Sequence, residues 1–87
     1  MYLTNIIFPP ELEEKIKKIC EDIKITSEKK GEKFDYKFEG TKLVIEGKDQ
    51  KQSYCRGKWF KFAAIYSEDE DENRRLRRKV HFEVIKS

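Results

Sequence analysis

A chain of 87 residues has room for one domain, 1–87, with a modest core. Charged residues make up 43% of it but nearly cancel to a net +3, which excludes a histone-like polycation. Any nucleic-acid contact must then come from a local patch. Apolar runs are too short to span a bilayer. Cys20 and Cys55 form neither a CxxC pair nor a Cys/His cluster, so reduced thiols, a cytoplasmic location, no structural zinc and no cofactor are expected.

Tyr2 to Phe8 is β-rich and stops at Pro9-Pro10. The second proline suits a first helical turn, where its missing N–H is not needed. Leu12, Ile16, Ile19, Cys20 and Ile23 then recur as one apolar stripe, which predicts an amphipathic helix from about Pro10 to Ile23. A polar stretch ends in a Lys-Lys-Gly-Glu turn at 29–32. Residues 33–39 alternate strictly, with Phe34, Tyr36 and Phe38 on one side and Asp35 and Lys37 on the other. A two-residue turn at Gly40-Thr41 returns the chain as strand 42–46, which pairs Phe38 with Leu43 and Tyr36 with Ile45.

Tyr54 to Tyr66 reads as a second β-rich run, broken near Gly57. Its parity puts Phe60, Phe62, Ala64 and Tyr66 on the core side. Trp59, Lys61, Ala63 and Ile65 face the open side. A charge block follows at 67–79, with acids from Glu68 to Glu72 and then Arg74, Arg75, Arg77, Arg78 and Lys79. Ser67 and Glu70 fit a capping box. Glu70–Arg74 and Asp71–Arg75 have the spacing of i,i+4 pairs, and the acid-to-base order suits the helix dipole. A short helix from about Glu68 to Arg78 is locally favoured, and a loop is its rival. Residues 79–86 close the chain as a strand with Val80, Phe82 and Val84 inward and His81, Glu83 and Ile85 outward.

The order β-α-β-β-β-(short charged helix or loop)-β describes an α+β domain. One amphipathic helix packs on a mainly antiparallel sheet of four to five strands, and the other sheet face stays open or takes a partner. A split β-α-β topology of the ferredoxin type stays open as an alternative but lacks, on this reading, a clear second packing helix.

Nucleotide-loop, nucleophile-elbow and zinc-protease motifs are absent, as are the KH and RNP1 patterns. What remains is compositional. Residues 51–62 interleave bases with Tyr54, Trp59 and Phe60, as surfaces for single-stranded nucleic acid do. Arginine dominates the basic half of the charge block, and its planar fork suits phosphate. The leading expectation is a non-enzymatic nucleic-acid-binding protein leaning to RNA or single strands. Its contact residues would be Lys37, Arg56, Lys58, Trp59, Lys61, Arg74, Arg75, Arg77, Arg78 and Lys79. The alternative is a small inhibitor or adaptor that docks a protein through edge strand 2–8 or the open face. A homodimer through Val44, Ile85 and Trp59 uses that same face. A third class, RNA cleavage using His81, has no second catalytic residue to support it.

Overall fold

The computed structural model describes residues 1–62 and 69–86. In chain order they form β1 (Tyr2–Ile7), a single 3-10 turn (Pro10–Leu12), α1 (Glu13–Lys29), β2 (Tyr36–Glu39), β3 (Lys42–Gly47), α2 (Gln50–Phe62), α3 (Glu70–Lys79) and β4 (His81–Lys86). The four strands form one antiparallel sheet in the order β2-β3-β1-β4.

The helical run begins at Pro10 as expected, but as a 3-10 turn, with α1 starting only at Glu13 and running past Ile23 to Lys29. Its end is set by Gly31, which takes φ +72°. Gly31 N donates to Glu28 O and Glu32 N to Ser27 O, the paired bonds of a Schellman motif. The polar stretch after Ile23 is therefore the exposed last part of the helix. The hairpin has the expected register, Tyr36 opposite Ile45 and Phe38 opposite Leu43. Gly40 takes φ +61° at the first turn position, as a type II′ turn requires.

The main correction falls on residues 54–62. They belong to a helix, α2, and not to a strand; residues 63–66 of the expected strand lie outside the described residues. Asp49 starts α2 by accepting the Gln52 N–H on its side chain at 2.7 Å. The buried side of α2 is Ser53, Gly57 and Phe60, at helical spacing. Two of the three are small because the helix lies close on the sheet. Thr4 Oγ1 donates to the Ser53 carbonyl at 3.0 Å. A Cβ on Gly57 would run into the Phe82 ring. With α2 in place the order is β-α-β-β-α-β, the ferredoxin-like plait, with α3 inserted between α2 and the last strand.

The charge block forms α3, one to two residues later than expected. Asp69 caps it, accepting from Asp71 N at 2.9 Å and Glu72 N at 3.4 Å. Ser67 and Glu68 lie outside the described residues, and so does the expected capping box. Arg75 pairs with Glu11 at 3.3 Å and Glu72 at 3.8 Å. Leu76, the sole apolar residue of α3, is buried.

Ile16 and Cys20 of α1, Phe60 of α2 and Leu76 of α3 join one core cluster with Ile6, Leu43, Ile45 and Val80. All three helices therefore cover the same sheet face. The other face is a grid fixed by register. Its three rows are Glu39–Lys42–Ile7–His81, Lys37–Val44–Asn5–Glu83 and Asp35–Glu46–Leu3–Ile85. Ile7 and Ile85 are 46% and 42% exposed there, whereas Val44 is only 4% exposed. Strand β1, expected at an edge, is central, between β3 and β4. Its backbone is used on both sides, so the edges open to a partner are β2 and β4. Among the described residues no helix is long and apolar enough to cross a membrane.

Candidate nucleic-acid interface

The expected site residues divide between opposite sides of the molecule. Lys37 lies on the bare sheet face. It pairs with Glu39 at 3.2 Å, and Lys37, then Lys42, hold the Glu39 carboxyl below its ordinary range. Trp59 and Lys61 were expected beside Lys37; as residues of α2 they are in the helical layer instead. The expected sheet-centred surface does not exist. Among the described residues the bare face carries no Phe, Tyr or Trp, and its one aromatic ring is His81 at the end of a row.

The solvent side of α2 brings much of the basic-aromatic stretch together. Lys51, Cys55 and Trp59 follow at intervals of four and form one row. Tyr54, Lys58 and Phe62 form the next row, and Lys61 is half-buried beside them. Tyr54, Trp59 and Phe62 are 49%, 43% and 50% exposed. They are the only aromatics among the large apolar side chains exposed within the described residues. From Gln50 to Phe62 the helix carries Lys51, Arg56, Lys58 and Lys61 and no acid. Each ring has contacts that hold it in place. Tyr54 meets the Phe82 edge at 5.4 Å and Trp59 meets Phe60 at 5.0 Å. Lys58 lies 5.6 Å from the Tyr54 centroid and Lys61 5.7 Å from that of Phe62.

Arg56 is turned away from this array. Its guanidinium lies over Phe34 and donates to Glu46 O at 3.0 Å. It forms part of the wall of a cleft of about 780 Å³ between α2 and the ends of α1 and β3. That cleft places Lys33, Lys48 and Arg56 among Glu32, Asp35 and Glu46, a lining of mixed charge.

The five bases of α3 also separate. Arg75 and Lys79 both reach Glu11 Oε1, at 3.3 and 3.4 Å, and tie α3 to the 3-10 turn. Arg77 donates to Phe62 O at 3.2 Å and lies 5.9 Å from the Phe62 ring centroid, so it joins α3 to the end of α2. Arg74 and Arg78 are exposed and form no ion pair among the described residues. They line a shallow groove with Asp71, Arg75 and Lys79.

Three side chains of this surface, Lys51, Tyr54 and Phe62, were not among the expected site residues. Strand parity places Phe62 on the core side, whereas on α2 it is half exposed. The signal that would have found them is the 3-4 spacing of Ser53, Gly57 and Phe60, hidden because two of those residues are not apolar. The thiols differ sharply. Burial, with a smaller contribution from Glu21, pushes Cys20 up to about 12, so it stays protonated at neutral pH. Cys55 is exposed on α2. His81 ends its row on the bare face opposite Ile7. The neighbouring Glu83 accepts from Asn5 Nδ2 at 3.4 Å. Compared with protein-family models, curated proteins and solved structures, the chain matches none.

Proposed function

We propose that the protein is a non-enzymatic nucleic-acid-binding protein whose contact surface is the solvent side of α2. The observation that carries this reading is the acid-free helix on which Tyr54, Trp59 and Phe62 stand exposed between Lys51, Lys58 and Lys61. Rings open to solvent present faces on which bases stack, and interleaved cations hold the phosphates. A reducing, cytoplasmic setting fits the two unpaired thiols.

Trp59 is the sole tryptophan, so its fluorescence reports on this surface directly. Titration with mixed-sequence RNA and DNA oligomers at low salt is expected to quench it. Trp59→Ala, followed by polarisation of a labelled oligomer, should weaken binding by about 1–3 kcal/mol. Absence of binding by every oligomer at low salt would show the reading to be wrong. So would tight binding to vesicles of anionic lipid in place of oligonucleotides.

A second reading rests on Ile7 and Ile85, the exposed apolar residues of the bare sheet face. It makes the protein an adaptor or inhibitor that docks a protein, or a second copy of itself, on that face. Val44 and Trp59 drop out of the expected dimer surface, one buried and the other on α2. Binding of a partner that is abolished by Ile7→Lys and Ile85→Lys, with oligonucleotide binding absent, would favour this reading.

A further inference from the structure

We infer that the ligand is a single strand that runs along α2 and crosses onto α3, where only Arg74 and Arg78 of the arginine run hold its phosphates. This rests on the proposed nucleic-acid surface of α2 and goes on to name the strand form, its path and the division of labour within α3.

The strand form follows from what the α2 rings can meet. In a duplex the bases are stacked on one another, and an approaching side chain finds sugar, phosphate and base edges. Tyr54, Trp59 and Phe62 gain stacking energy only from bases that are splayed out. The path follows from the junction of the two helices. Phe62, the last residue of α2, is half exposed with Lys61 and Arg77 both within 6 Å of its ring centroid. Arg77 Nη2 is also bonded to Phe62 O. This half-exposed ring, near one cation from each helix, joins the two surfaces. On α3, Arg74 is one turn before Arg77 and Arg78 is adjacent to it, so the exposed pair begins where the α2 array ends.

The division of labour follows from the ion pairs. Arg75 and Lys79 share Glu11, and Arg77 is committed to Phe62. A phosphate that took Arg75 or Lys79 would deprive Glu11 of one of its two partners. Arg74 and Arg78 have no such competitor among the described residues. Asp71 stands in the same groove, as the one acid among four bases. The exposed length of α2 from Lys51 to Phe62 is about 16 Å at ~1.5 Å per residue. The Arg74–Arg78 turn of α3 extends the surface beyond this length.

The test measures the salt dependence of binding of a seven-nucleotide single strand and of the same sequence as a duplex, with Trp59 quenching as readout. The single strand is expected to bind at least about tenfold more tightly, since each stacked base contributes on the order of 1–3 kcal/mol. Arg74→Ala with Arg78→Ala should reduce the slope of log K against log salt by about 1.4, two phosphate contacts at ~0.7 each for a single strand. Arg74→Lys with Arg78→Lys should restore it. Arg75→Ala with Lys79→Ala should leave the slope unchanged. Equal affinity for duplex and single strand would overturn the strand form. An equal loss of slope in both alanine pairs would overturn the division within α3. In both cases the α2 surface would stand, whereas failure of every oligomer to quench Trp59 would remove the surface and this inference together.

Discussion

Gly57 shows how much a single missing side chain decides. Helix propensity disfavours glycine inside α2 by about 1 kcal/mol relative to alanine. Here, however, a Cβ would overlap three atoms of the Phe82 ring. Phe82 is itself held at its edge by Tyr54. Overpacking of this kind typically costs about 1–3 kcal/mol, which exceeds the gain in propensity. Gly57→Ala is therefore expected to lower the melting temperature, by several degrees for a domain of this size, and to disturb Tyr54 through Phe82. A rise in melting temperature would mean that α2 does not lie this close to β4. The constraint at Gly47 is weaker, since the one atom its Cβ would meet closely is the rotatable Ser53 Oγ.

At the scale of elements, α3 is held by few contacts, each identifiable. Its sole apolar side chain, Leu76, enters the core. Arg75 and Lys79 reach Glu11, and all three side chains are about half exposed, so each pair contributes only a few tenths of a kcal/mol. The cap therefore matters. Asp69→Ala removes the acceptor for Asp71 N and Glu72 N and should cost about 1 kcal/mol, whereas Asp69→Asn should restore most of it. The measurement is the urea midpoint at unchanged m, and indistinguishable midpoints would show that α3 does not depend on this cap. Elements with a conventional apolar period were legible in the sequence. Leu12, Ile16, Ile19, Cys20 and Ile23 announce α1, and all five are buried or half-buried. The alternation of Phe34, Tyr36 and Phe38 announces the hairpin. α2 was not legible, because its aromatic, cysteine-containing composition favours β structure and its contact side is Ser53, Gly57 and Phe60.

For the molecule as a whole, the described residues cover the sheet on one face only. Ile6 and Ile7 are adjacent in the chain and lie on opposite faces, one fully buried and the other 46% exposed. Ile6→Ala should cost about 2–5 kcal/mol as a core truncation. Ile7→Ala should cost about 1 kcal/mol or less. Comparable losses from both would mean that the second face is covered as well. The charge distribution has the same one-sidedness. The basic-aromatic surface lies on the helical layer, on the far side of the sheet from Lys37 and the mixed charges of the bare face.

The sequence by itself determined the α+β class, the first helix and its stripe, the hairpin and its register, and a charge block ordered to suit a helix. These follow from local periodicity, turn chemistry and the helix dipole, which act over a few residues. It also marked 51–62 as a basic-aromatic stretch. Tertiary structure decided where that stretch lies, which rings reach solvent and which arginines form no ion pair among the described residues. Those outcomes depend on how closely α2 approaches β1 and β4 at Ser53 and Gly57. They depend equally on Glu11, more than sixty residues from Arg75 and Lys79, which selects those two bases and leaves Arg74 and Arg78 exposed.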